Sequence, residues 1–204
     1  MGERKINAGR FNHVAPILDF ESLYSLLSAE YKIVVVERSG YGFSDVVDKP
    51  RDIETVLSET RAALAMAGIE GPYVLNRLNA KDGLIRLIPF LRDLDCIKYG
   101  TLTEEEIDIA HAMLYYRFCN KTIINEFKYF SQNAKTVGDG EVPQVSMLLF
   151  VSSDKSKKKW PEYVQRYAGN LENASIIQLD CPHYVHDYEY VRISEEITNY
   201  LNVE

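Results

Sequence analysis

Four short apolar runs, Ile33 to Val36, Tyr73 to Leu75, Met147 to Val151 and Ser175 to Leu179, are each flanked by stretches of helical periodicity. That alternation is the strongest constraint on the fold. A β-branched run such as Ile33-Val34-Val35-Val36 shows no polar alternation, so it reads as a buried strand covered on both faces. Parallel neighbours need a long crossover, and the usual crossover is a helix. The expected class is therefore α/β, a mostly parallel sheet flanked by helices.

The helical segments carry their own signals. Phe20 to Glu30 places Leu23, Leu26 and Leu27 on one face. Asp52 is a good N-cap for a helix that turns Ile53, Val56, Leu57, Thr60, Ala63, Leu64 and Ala67 inward, and Gly68 stands at the usual C′ place. From Asn76 to Asn133 the pattern changes to consecutive helices with no convincing strand between them. One carries Leu84, Leu87, Ile88, Leu91 and Leu94. Thr103 and Glu106 have capping-box spacing and open a second, with Ile107, Ala110, Leu114 and Phe118 on its stripe; a third runs through Ile123, Ile124, Phe127 and Phe130. Strand and helix alternate again from Val145, with a helix at Pro161 to Ala168 and a closing helix from Tyr188 to Leu201. The organisation expected is one domain in three stretches: residues 1–75 as its front α/β portion, 76–140 as an inserted helical lid, and 141–204 as its closing α/β portion.

At 204 residues and 46% hydrophobic content, one core of useful size can form. The net charge of −7 argues against nucleic acid as a partner, because phosphate binding needs clustered Lys and Arg. The one basic run, Lys155 to Lys159, reads as a solvated loop. Cys96, Cys119 and Cys181 are odd in number and irregularly spaced, which suits a reducing compartment rather than a disulfide framework. Met1-Gly2-Glu3-Arg4-Lys5 leads into no apolar leader, and no apolar run approaches the roughly 18 residues of a membrane span. A soluble cytoplasmic protein with no membrane partner is expected.

The stretch from Lys32 through Arg38-Ser39-Gly40-Tyr41-Gly42-Phe43-Ser44-Asp45, the helical run to Gly68, and Gly71-Pro72-Tyr73-Val74-Leu75 together resemble the front half of an α/β-hydrolase. The whole chain looks most like the bacterial members that carry a helical cap. In that family the strand at Tyr73 to Leu75 runs into a tight turn written G-x-S-x-G, which bears the nucleophile, and then into a helix. Here Leu75 is followed by Asn76-Arg77-Leu78-Asn79, and no G-x-S-x-G, nor a Cys or Asp version of it, occurs in the 204 residues.

The resemblance assigns other roles. Leu179-Asp180-Cys181-Pro182-His183-Tyr184-Val185-His186-Asp187 follows the last predicted strand, where the family keeps its catalytic histidine, and His183 is the matching base. The orienting acid of the family follows the strand that is Met147 to Val151 here, which makes Asp154 the match. The oxyanion loop corresponds to Ala8 through Pro16, where only Gly9 remains as glycine and Met1 to Ala8 make a poor strand; His13 reads as a loop residue. Gly40 and Gly42 let the chain bend after its strand, and Ser39 and Ser44 read as structural. His186 and Asp187 stand close to His183, but without further ligands of defined geometry a solvent-facing pair is the expectation, and no metal or cofactor is implied.

Loss of the nucleophile turn, its helix and the next strand would uncover apolar strand faces. Three explanations are open: a segment omitted between Leu75 and Asn76, a degenerate hydrolase rescued by homo-oligomerisation, or a different alignment at Leu75. Two functions follow. One is a serine hydrolase acting on a small ester-like acyl substrate through His183, Asp154 and a nucleophile that cannot be named. The other is an inactive relative that binds a small apolar ligand under the lid, or a protein partner.

Overall fold

The computed structural model describes residues 5–8, 15–69, 94–117, 120–142, 144–153 and 159–203. In chain order the elements are β1 (Lys5–Ala8), α1 (Pro16–Asp19), α2 (Glu21–Leu27), β2 (Lys32–Val35), α3 (Ile53–Met66), α4 (Asp95–Tyr99), α5 (Glu104–Arg117), α6 (Lys121–Gly138), β3 (Met147–Ser152), α7 (Trp160–Ala168), β4 (Ala174–Leu179), α8 (Val185–Tyr188) and α9 (Tyr190–Val203). They fall into two compact units, one drawn from residues 1–19, 32–93 and 102–140, the other from 20–31, 94–101 and 141–204. Tyr73 to Leu75, the Leu84 to Leu94 helix and the Leu75–Asn76 junction lie outside the described residues.

All strand pairing among the described residues is parallel. β1 pairs with β2, with Lys5 opposite Lys32, and β3 pairs with β4, with Met147 opposite Ala174 and Ser152 opposite Leu179. Two expectations are corrected here. Lys5–Ala8 does form a strand, because an in-register ladder to β2 satisfies its backbone where local propensity is weak. Ile33, Val34 and Val35 are half-buried rather than buried, for among the described residues β2 has a neighbour on one side only.

In the first unit, the Asp52 carboxylate accepts from the Thr55 backbone N–H at 3.0 Å and starts α3, as its sequence demands. Val56, Leu57 and Leu64 are buried, whereas Ala63 and Ala67 are exposed, so the inward face is narrower than the periodicity suggests. Gly68, at φ +67°, ends the helix. The capping box at α5 is reciprocal: Thr103 N–H donates to Glu106 at 2.8 Å and Glu106 N–H to Thr103 Oγ1 at 3.3 Å.

α6 departs from its apolar stripe. Ile123 is buried, but Ile124 and Phe127 are 45% and 46% exposed, and the rest of the buried face is Thr122, Asn125 and Glu126. Those polar groups receive the loop that follows β2. Arg38 Nη1 lies 3.0 Å from Glu126, the Tyr41 hydroxyl donates to the same carboxylate at 2.8 Å, and fully buried Arg51 donates to Glu59 at 2.6 Å. Thr122 Oγ1 both accepts from Val47 N–H and donates to Val47 C=O. Gly40, at φ +83°, passes so close to α6 that a Cβ would stand 2.5 Å from Thr122 Cβ. Ser39 donates to Glu59 on α3 and Ser44 to Glu37 C=O within the loop, which are holding contacts.

In the second unit, fully buried Leu179 packs with Val185 and Ile193, and with Leu23, Phe150, Ile177 and Ile197 around them. α2 contributes Leu27, which is buried, while Leu26 is 46% exposed. No helix among the described residues is long and apolar enough to cross a membrane.

Candidate active site at the ends of β3 and β4

His183 stands on the loop between β4 and α8, at the C-terminal end of its strand. Parallel pairing brings the end of β3 beside it, and two serines, Ser152 at the last pair and Ser153 just past it, fix the loop. Ser153 N–H donates to Leu179 C=O at 2.9 Å, the Ser152 hydroxyl to Cys181 C=O at 2.6 Å, and the Ser153 hydroxyl to the Asp180 carboxylate at 2.7 Å. A loop tied to the neighbouring strand at Asp180 and Cys181, just past a strand end that is itself bonded to Ser153, presents its imidazole in a defined place. These serines were not singled out by motif; only strand pairing makes them partners of residues 27 to 29 positions away.

The rings around His183 complete the site. Trp160, the first residue of α7, meets it at a centroid distance of 6.2 Å and an interplanar angle of 81°, and Tyr184 meets it at 5.6 Å and 65°. Trp160 is the chain's single tryptophan.

His186 and Asp187 do not face solvent, which corrects the expectation. Both are buried in α8; His186 stacks on Phe20 at 4.2 Å and 17°, and its Nε2 lies 3.6 Å from the Asp187 carboxylate. The reason is that α8 turns one face into the second unit, where α2 and α9 pack. They therefore form a packing pair apart from His183, and among the described residues no group of three or more His, Cys, Asp or Glu is arranged to hold a metal.

Cys181 is a nucleophilic side chain two residues before His183. Burial, reinforced by the carboxylates of Glu189 and Asp180, pushes its thiol up to about 11, so it is poorly suited to attack at neutral pH. Asp154, the matching orienting acid, lies outside the described residues, as do Gly9, His13 and all of the basic run but Lys159.

Known proteins place this architecture. No protein-family model matches the chain. An uncharacterised protein, YbdG of Bacillus subtilis (strain 168), is 25% identical over 233 aligned residues, covering 86% of this chain and 72% of YbdG. That span exceeds the 204 residues of the chain, so YbdG carries residues where this chain has none. Among solved structures, Cfl2 from Burkholderia cenocepacia is similar at TM-score 0.63 and 14% identity, covering 98% of this chain and 88% of its own. The haloalkane dehalogenase DbeA from Bradyrhizobium elkani USDA94 is similar at TM-score 0.59 and 14% identity, over 97% and 88%. A loop variant of DbeA gives 0.57 at 12%, over 97% and 88%. The chain has the α/β-hydrolase fold with a helical cap.

Proposed function

We propose that this α/β-hydrolase-fold chain is built for hydrolysis of a small ester-like acyl substrate, with His183 as general base and Asp154 as the carboxylate that orients it. The observation that carries the reading is the position of His183, on a loop tied to the C-terminal end of the neighbouring parallel strand. In that role the imidazole takes the proton of a nucleophile's hydroxyl as it attacks the acyl carbon, then returns it to the departing alkoxide. Asp154 would hold the imidazole tautomer and stabilise its charged form.

The nucleophile itself has no matching residue in the sequence. The aligned span of YbdG is longer than this chain, and the reading places the nucleophile turn and its helix among the extra residues. The reading takes a small-molecule substrate rather than nucleic acid or a membrane, in keeping with the charge of −7, and places the protein in the cytoplasm.

The absence of G-x-S-x-G favours a second reading, a catalytically silent relative that binds a small apolar ligand under its cap or a protein partner. p-Nitrophenyl acetate and butyrate, with a fluorophosphonate label, separate the two. Turnover and labelling that disappear in His183→Ala support the hydrolase. A chain that neither labels nor turns over either ester is the silent relative.

A further inference from the structure

Five rings follow one another through the second unit. Trp160 meets His183, His183 meets Tyr184, Tyr184 meets His186 at 6.1 Å and 76°, and His186 stacks on Phe20 at 4.2 Å. The far end of this series is fixed. His186 is buried on α8, and Phe20, at the start of α2, is buried too. The near end is fixed by the chain itself, since Pro161 stands in the first turn of α7, where its constrained φ sets the start of the helix that carries Trp160. Between those ends His183 is half-buried, with rings on two sides, and the loop just before it is held at Asp180 and Cys181 by Ser153 and Ser152. Edge-to-face contacts at these separations are directional, so they restrict rotation of the imidazole about its side-chain bonds.

We infer that Trp160 and Tyr184 are positioning residues for His183, setting the orientation of its imidazole through the ring series anchored by His186 on Phe20. The inference rests on the reading of His183 as a base but makes a claim about its geometry that stands without turnover. A base must meet its proton at hydrogen-bond distance, and a misplacement of about 1 Å can cost on the order of a hundredfold in rate. Neither Trp160 nor Tyr184 need touch substrate.

The test uses the full chain and follows the ring-proton resonances of its four histidines by NMR. Trp160→Leu should move those of His183 while leaving His111, in the other unit, in place. Trp160→Phe, which keeps an aromatic ring, should return them towards the parent positions. Tyr184→Leu gives a second displacement should Trp160→Leu fail to fold. Where the parent turns over p-nitrophenyl butyrate, Trp160→Leu should lower kcat by roughly 10- to 100-fold with KM little changed, and Trp160→Phe should recover it. His183 resonances unmoved by both leucine variants, or unrestored by phenylalanine, overturn the inference. A parent without turnover defeats the hydrolase reading alone, and the resonances still decide the positioning.

Discussion

The loop after β2 and the loop after β4 both leave the C-terminal end of a parallel strand, yet they are held by opposite kinds of force. The first is fastened by charge. Arg38 and Arg51 meet Glu126 and Glu59, Arg38 also lies over the Tyr41 ring at 4.7 Å, and α6 receives the loop with a polar face. The second is fastened by backbone and rings, above an aliphatic cluster around Leu179. A charged lock breaks badly when one partner is removed, because the ion left behind is buried and uncompensated. An aliphatic cluster instead loses stability in proportion to the volume deleted.

The largest effect should come from Arg51→Met, which removes a fully buried guanidinium, takes from Glu59 its 2.6 Å partner and leaves Glu126 to Arg38 and Tyr41, and should cost about 3–5 kcal/mol in urea unfolding. Trp160 is the chain's single tryptophan and lies in the second unit, so its fluorescence reports that unit while circular dichroism reports both. A loss seen by both probes at one denaturant concentration would mean the two units unfold together. A loss below about 1 kcal/mol would break the comparison, since the lock would then be ornamental.

Next in size is Leu179→Ala, expected to cost about 2–5 kcal/mol because the side chain is fully buried in the second unit's cluster. Here the fluorescence transition should move at least as far as the dichroism transition. The opposite order would place the weight of this residue in the wrong unit.

Asn120→Ala is smaller. Asn120 caps α6 by accepting from Ile123 N–H, and it donates to Gly40 C=O at 2.7 Å, so its loss should cost about 1–2 kcal/mol. The substitution sharpens the comparison, since it loosens the β2 loop without touching a charge.

The smallest effect is one of acid. Hydrogen bonds from Thr103 hold Glu106 below its ordinary 4.5, and hydrogen bonds from Thr55 hold Asp52 below its ordinary 3.8. Each contributes stability that is present above the ordinary value and is lost as the pH falls through the lower folded value. Melting temperature should therefore decline in acid below about pH 4.5, and less so in Thr103→Val, whose Glu106 lacks the side-chain partner. An undiminished decline in that variant would remove Glu106 from the account.

Much of the fold was legible in the chain because it depends on short-range chemistry. β3, β4, α3, α5 and α7 stand close to where apolar runs, the Asp52 cap, the Thr103–Glu106 box and Pro161 place them. β1 was not legible, since Lys5–Ala8 has little strand propensity and gains its hydrogen bonds only from β2. The exposure of Ile124 and Phe127 was hidden for a related reason. Periodicity identifies a stripe, but here partners distant in sequence, Arg38, Tyr41, Val47 and Asp48, turn the polar face of α6 inward.

By itself the sequence determined the fold class, the helix starts, the candidacy of His183 and the absence of a nucleophile turn, because each is written in adjacent residues. Only the tertiary structure decided that His186 and Asp187 are buried, that Ser152 and Ser153 tie down the His183 loop, and that Trp160 and Tyr184 flank the imidazole. Those facts need two strand ends side by side, and parallel pairing alone puts residues nearly thirty positions apart within hydrogen-bond reach.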